Sequence, residues 1–577
     1  MKRYLGWLLV VACGGLVQQA AVAQNPAANP VGRALEEEVK RAMDVLTRKG
    51  DPAPYFLSYE VNESKTAEIT ASLGALQYSN VDKQRLLDID LRVGDYAFDN
   101  THQLRGQRGG GGDQALSRPG SVLMPIDDDV DALKSVIWLE TDRRYKSAVE
   151  RLINVKANRA VRVDEEDLSG DLSREKAEKS VATLRDAAVN VADWEKKLKT
   201  YSAMFKGFPE LLDGQAGFTS TINNQYLVNS EGTSVRHGTV HFRVYLVGRT
   251  RADDGMDFQR FESFDAHTVE GLPSEATVRA TVEKIVKDLK ALRAAPVVDP
   301  YTGPAILSGR ASGVFFHEIF GHRIEGQRNK NESEGQTFAK QVNQKILPDF
   351  ISIVDDPTTE KVGSIDLNGH YIYDDEGVKA RPVTVVENGI LRNFLLSRSP
   401  VAGFEESNGH GRKQPGYKAV GRQGNLMIKA ANTVPIARLR EMLIEEAKKQ
   451  GKQFGLLFDD ISGGFTLTGR DSPQSFQVTP IMVYRVYVDG RPDELVRGAD
   501  LIGTPLTSFS KIVAASDRVD IFNGFCGAES GYVPVSAVSP AILTTQIEVQ
   551  KKAKSSERMP ILSAPDAPAT PAGGVLR

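Results

Sequence analysis

The stretch Gly313 to Gly326 reads G-V-F-F-H-E-I-F-G-H-R-I-E-G and places His317, Glu318 and His322 within six residues of one another. An apolar run precedes them and a polar, glycine-containing run follows, the setting expected of a metal-bearing helix in a cleft. A catalytic zinc ion takes three protein ligands from His, Cys or carboxylate and keeps a fourth position for water, whose pKa falls to about 7. On this reading the two histidines are ligands and Glu318 is the general base. In the common H-E-x-x-H pattern the ligands lie about 40° apart around a helix and share a face. Here the spacing is five, which turns the second ring about 140° from the first on a regular helix. Two local geometries reunite them: a π-type turn, or a helix that ends at Gly321 and lets His322 swing back. Both imidazoles could also be hydrogen-bonded core residues, so a third ligand has to decide.

The chain has two cysteines, Cys13 in the N-terminal apolar segment and Cys526 in N-G-F-C-G-A-E-S-G-Y-V-P-V-S, between glycines in an expected loop that leads into a strand. If the N-terminal segment is removed, Cys526 has no intramolecular disulfide partner. The residues alone leave two readings open for it: a small buried hydrophobe, or a thiolate held by zinc.

Beyond these residues the sequence resembles the TldD/PmbA metallopeptidases, a family once described as modulators of DNA gyrase. The resemblance rests on H-E-x-x-x-H followed by G-H-x-x-E-G (His317, Glu318, His322, Glu325, Gly326), V-D-D at Val354 to Asp356, D-D-E-G at Asp374 to Gly377 and E-N-G-I-L at Glu387 to Leu391. It continues through N-G-x-G-R at Asn408 to Arg412, S-G-G at Ser462 to Gly464, R-G-A-D-L-I-G at Arg497 to Gly503 and C-G-x-x-x-G-x-V-P-V at Cys526 to Val535. Carried over residue by residue, it implies that His317, His322 and Cys526 are zinc ligands, that Glu318 activates water, and that Glu325 is a supporting acidic residue orienting an imidazole. It further implies a dimer, either a homodimer or a heterodimer with a family paralogue, whose narrow interior groove admits unfolded or extended peptides and rejects folded proteins. The family includes partner subunits that have lost H-E-x-x-x-H; this chain keeps every ligand and so resembles the active type.

Composition bounds the remaining possibilities. With 577 residues, 41% hydrophobic and 25% charged, the chain is an ordinary globular protein of two or three domains. Its formal net charge of −3 offers no basic field for nucleic acid. Residues 1–23 have the layout of an export signal: Lys2 and Arg3, the apolar stretch Tyr4 to Val17, then Ala21-Val22-Ala23 before Gln24. The expectation is an exported protein, periplasmic or secreted. An alternative takes Val10-Val11-Ala12-Cys13 as a lipoprotein box with Cys13 acylated. No transmembrane segment is expected, since spanning needs about 20 apolar residues.

The elements that must position the site read as α+β, because helices and strands occur in blocks and not in βαβ alternation. A mixed helix and strand region precedes a β-rich C-terminal catalytic domain. The expected divisions are 24–125 (α+β), 126–295 (helical with a β-hairpin), 296–552 (metallopeptidase domain) and a disordered tail, 553–577. Periodicity predicts helices at Ala34 to Lys49, Asp128 to Lys156, Leu172 to Val189, Glu275 to Leu292 and Ile436 to Gln450. Strands are predicted at Phe56 to Val61, Leu86 to Val93, Gln225 to Val228, Ser234 to Val247, Ala305 to Ser308, Ile351 to Val354, Pro382 to Glu387, Ile390 to Ser397, Gly464 to Thr468, Pro480 to Val488 and Ala541 to Val549. Arg105 to Asp113 reads as a surface loop, and His237, His241 and His267 as structural or surface residues.

The functional expectation is a zinc-dependent peptidase, with a catalytically silent scaffold subunit holding structural zinc as the alternative. A zinc hydrolase acting on non-peptide amides also satisfies the ligands. Gly463 and Gly464 sit where a peptide backbone could approach closely, and a tight turn explains them equally.

Overall fold

The computed structural model describes residues 29–104, 118–161, 167–470, 476–503 and 508–552. The expected signal segment, Cys13, the Arg105 to Asp113 loop and the expected tail lie outside them.

Alternating apolar and polar residues build a long hairpin from β1 (Pro54–Ser72) and β2 (Ala75–Val93). Its turn uses positive φ at Leu73 and Gly74. Three more antiparallel strands, β3 (Leu211–Asn229), β4 (Ser234–Arg251) and β5 (Asp257–Ala266), extend the sheet beyond β1, and strands from both sides of residue 125 share it. Four helices cover one face: α1 (Pro30–Lys49), α2 (Val130–Val161), α3 (Val191–Ala203) and α4 (Glu275–Ala294). Leu35, Leu133 and Ile137 pack there on Leu57, Tyr59 and Leu87, while Leu198 and Ile285 pack on Phe218 and Val244.

The predicted helix at Leu172 to Val189 does not form. The segment runs extended along the sheet and contributes a short strand, Lys179–Val181, parallel to β4. Ser234 N donates to the Glu178 carbonyl, and the Asn224 amide both accepts from Arg185 N and donates to its carbonyl. Backbone groups bonded by a sheet edge outcompete a merely amphipathic pattern.

The opposite face of this sheet is charged and is buried against the C-terminal half. Lys413 Nζ lies 2.8 Å from Glu60 and also contacts Asp88, while Gln225 bridges Glu60 and Asp375. The C-terminal half contains β6 (Tyr301–Leu307), β7 (Ile351–Asp355), β8 (Val383–Glu387), β9 (Asn425–Ala430), β10 (Phe454–Thr466), β11 (Phe476–Tyr487), β12 (Ala499–Gly503), β13 (Ile512–Ala528) and β14 (Gly531–Lys551). Their pairing closes on itself in the order β6, β10, β11, β12, β14 and back to β6. Helix α5 (Gly309–Ile319) packs against β14, β10 and β13, and every residue from Ala311 to Gly326 is buried. Outside the ring, α6 (Ile436–Lys449) seats Leu439 and Leu443 on Ile306, Val486 and Leu543. The architecture is α+β with a β-rich C-terminal region, as expected.

Two local expectations are corrected. Cys526 lies within β13, paired with Val533 of β14, instead of in a loop; the turn falls later, where Gly531 has φ +82°. The predicted strand Ile390 to Ser397 shortens to Ile390–Leu391, because Leu395 leaves the sheet and bonds both Ile324 O and Gly326 N.

At the interface between the halves, the carboxylates of Asp374 and Glu376 flank Gly411, where a Cβ would lie 2.1 Å from Glu376 Oε2 and 3.1 Å from Asp374 Oδ2. Burial pushes the Glu376 carboxyl up to about 7, and burial with the Glu376 charge nearby holds Asp374 well above the carboxylate range. A raised carboxyl stabilises the fold fully below its unfolded value of 4.5, and this stabilisation is lost as pH rises through about 7. Glu376→Gln is therefore expected to flatten the decline in stability between these pH values and to stabilise the chain at pH 8 by up to about 3 kcal/mol. Urea unfolding at several pH values measures this; an unchanged pH profile counts against the buried proton.

Candidate metal centre

Helix α5 starts at Ser308, whose hydroxyl accepts from Ala311 N at 3.3 Å, and ends at Ile319. Phe320 departs to φ −105°, and Gly321–Arg323 form a 3₁₀ turn. There is no π-turn: the helix stops, and the tighter turn carries His322 back toward His317, leaving the ring centroids 5.1 Å apart. Gly321 permits this sterically, because a Cβ there would lie 1.9 Å from Gln423 Oε1. Gln423 in turn reaches the His317 carbonyl, Nε2 to O 3.4 Å.

The hairpin of β13 and β14 brings Cys526 to the same point. Its Sγ lies 3.2 Å from His317 Nε2 and 3.3 Å from His322 Nε2, and one ligand atom from each of the three residues lies within 4.8 Å of the others. Tetrahedral bonds of about 2.0–2.1 Å to nitrogen and 2.3 Å to sulfur imply a nitrogen to sulfur separation of about 3.5 Å, so these donors fit one zinc-sized ion with shifts of a few tenths of an ångström. Burial opposes charge on all three groups. Even so, the Cys526 sulfur raises the pKa of both imidazoles, and the two rings pull the thiol well below its ordinary value. A thiol with thiolate character is what metal ligation requires.

Behind this cluster is a brace. Glu325 Oε2 lies 3.2 Å from His322 Nδ1, which leaves Nε2 facing the sulfur. Burial works against the Glu325 carboxylate, but His322, Arg328 and Arg422 outweigh it and bring its pKa to about 2. Arg328 donates to Glu325 at 2.9 and 3.0 Å. Arg422 pairs with Glu325 at 3.2 Å and donates to the Cys526 carbonyl at 2.8 Å and to Ser530 Oγ at 2.9 Å. The sequence reading missed Arg422 and Gln423. Only their position between Gly421 and Gly424, 104 residues before Cys526 in the case of Arg422, could have signalled them.

Glu318 lies one residue past the first histidine, with its carboxylate 3.9 Å from His322 Nε2. Gly464 packs on it: a Cβ there would lie 2.8 Å from Glu318 Cγ. Gly463 adopts φ +152° with open space around a Cβ. Both glycines lie on β10, not in a tight turn, and line a cleft of about 510 Å³ with the three donor residues. The remaining sequence-stated histidines do not join the cluster. His241 pairs with Asp265 at 2.7 Å, His267 lies 4.0 Å from Asp366, and burial depresses the pKa of His237.

Residues 300–551 match the PmbA/TldA metallopeptidase C-terminal domain. Residues 300–551 thus form a TldD/PmbA-family domain. The chain is 29% identical over 232 residues to the metalloprotease MJ0996 of Methanocaldococcus jannaschii, covering 40% of this chain and 47% of that protein. It is 26% identical over 272 residues to a zinc metalloprotease TldD homolog of Saccharolobus solfataricus, covering 46% and 55% respectively. The matched stretch thus spans about half the length of these curated relatives. TldE from Thermococcus kodakarensis shares the fold, with a TM-score of 0.58 at 15% identity over 90% of this chain and 100% of that one. The signal peptide and periplasmic location read from residues 1–23 are corrected and withdrawn. Neither the domain match nor these relatives support them, and among the described residues no helix is long and apolar enough to cross a membrane.

A methyl group at Gly464 would lie 2.8 Å from Glu318 Cγ and 3.1 Å from the Gln477 carbonyl oxygen, so Glu318 must shift. If the cleft is a catalytic metal site, Gly464→Ala is expected to retain metal while reducing turnover about tenfold or more, measured by metal content and peptide hydrolysis side by side. Full turnover in this variant would show that the close packing on Glu318 is incidental.

Proposed function

We propose that the chain is a zinc-dependent metallopeptidase that hydrolyses unfolded or extended peptides, with His317, His322 and Cys526 as ligands and Glu318 as general base. The observation that carries this reading is the convergence, among the described residues, of three donors, His317, His322 and Cys526, with the separate carboxylate of Glu318 beside them. A structural zinc usually has four protein ligands, whereas a catalytic one leaves a position open. Zinc held there supplies Lewis acidity and acidifies water for attack.

The protein's own residues do the rest. Glu318 accepts a proton from the attacking water and can return it to the leaving amine. Glu325, Arg328 and Arg422 hold the His322 ring in one tautomer and orientation. Two strand edges border the cleft: Gly463 to Thr466 of β10, bonded on their other side to β11, and Phe522 to Cys526 of β13, paired with β14. Backbone groups along such edges suit an extended peptide, which can pair with them through its own backbone. The fold shared with TldE supports association with a paralogous chain, and a homodimer satisfies the same expectation. The silent-scaffold reading places no demand on Glu318, whereas the packing of Gly464 keeps this carboxylate at the cleft.

Glu318→Gln is expected to keep one zinc per chain and lose about 10²–10⁴-fold in turnover of an unfolded peptide mixture. Cys526→Ser is expected to lose both metal and turnover. Zinc content by atomic absorption and cleavage products by mass spectrometry distinguish the outcomes. Unchanged function in Glu318→Gln would favour the scaffold.

A further inference from the structure

The metal cleft is closed on one side by the N-terminal sheet, through Arg243 of β4 with Phe261 and Ser263 of β5. The Arg243 guanidinium lies 5.0 Å from the centre of the Phe525 ring, the residue preceding Cys526. Its Nε donates to Asp265 Oδ1 at 2.7 Å. Among the described residues, neither Nη1 nor Nη2 has a hydrogen-bond partner; Nη2 is buried, and one fifth of the side chain remains exposed.

That pattern is unusual for the cationic groups of this cleft. Arg328 is saturated by Glu325, Glu334, Glu529 and Thr468. Asp265 is not Arg243's alone, because His241 Nε2 bonds the same oxygen at 2.7 Å and Asn368 Nδ2 approaches it at 3.4 Å. Aspartate and phenyl ring together fix the guanidinium plane and leave its outer edge without an acceptor. Unpaired donors in a desolvated setting are costly, and two adjacent amines present the fork that a carboxylate fits bidentately.

We infer that Arg243 is a specificity residue that receives a peptide carboxylate in the metal cleft, so that preferred substrates carry one near the scissile bond. The inference rests on the metallopeptidase reading. A chain-terminal carboxylate and an acidic side chain share this chemistry. Reaching the buried Nη2 requires a neighbouring side chain to shift, and the half-exposed Phe525 ring lies against the guanidinium.

The test uses the zinc-loaded full chain and one extended peptide without acidic residues, made as free acid and as C-terminal amide, plus amide forms carrying an internal Glu or Gln. The expected result is about a tenfold to hundredfold higher kcat/KM for a carboxylate-bearing form. Preference for the free acid over the amide identifies the chain terminus, and preference for Glu over Gln identifies a side chain. Arg243→Met should abolish the preference with zinc content intact, and Arg243→Lys should restore part of it. Equal kcat/KM for all four peptides, or a preference that persists in Arg243→Met, overturns the inference. Binding of the same peptides to zinc-loaded Glu318→Gln provides a readout independent of turnover and of the folding of Arg243 variants. If no peptide is hydrolysed, the metallopeptidase reading fails, and equal binding of acid and amide then overturns the carboxylate site separately.

Discussion

A thiol with two imidazole nitrogens within 3.3 Å of its sulfur, all three side chains buried, is tolerable only if a charge balance is maintained around them. Removing an ion from water costs several kcal/mol unless partners repay it. Here the partners are the fully buried Glu325 and the two arginines that hold it. Arg422 is the joint of the arrangement, because one guanidinium grips the carboxylate behind His322 and the backbone of the strand that carries Cys526. The helix end and the hairpin, about 200 residues apart in sequence, are thereby fixed in register with each other. Packing of α5 against β10, β13 and β14 buries this end of the helix, which strengthens the electrostatic contacts behind the cleft.

The two halves of the chain make the cleft jointly. The N-terminal sheet turns its apolar face to helices and its charged face to the C-terminal half, where Lys413, Glu60 and Asp88 pair across the interface. The same sheet supplies Arg243 and Phe261 to the wall facing the metal donors. Packing of the two halves and the shape of the cleft are therefore set by the same sheet.

Much of this was legible in the sequence. The spacing of five between His317 and His322 required either a π-type turn or a helix end near Gly321, and the second is present, with a 3₁₀ turn after it. Alternation found parts of both strands of the first hairpin, and helical spacing found α1, with Leu35 and Val39 on its buried side, and the positions of α2 and α4. What local patterns could not show were features decided at long range. The segment Leu172 to Val189 has helical charge spacing, but a sheet edge and the Asn224 side chain bind its backbone. Ile390 to Ser397 looks like a strand, yet Leu395 is claimed by the turn after His322. Arg422, Gln423 and Arg243 carry no motif of their own, because their roles exist only once distant elements meet. The export reading of residues 1–23 rested on a local charged, apolar and small-residue layout and was not supported.

The central claim is that one sulfur and two imidazole nitrogens share a single zinc ion. Zinc-edge X-ray absorption of the loaded chain tests it directly. The account predicts one sulfur at about 2.3 Å and a shell of nitrogen or oxygen at about 2.0–2.1 Å, with the sulfur shell lost in Cys526→Ser. A loaded chain whose zinc shows no sulfur neighbour would contradict it.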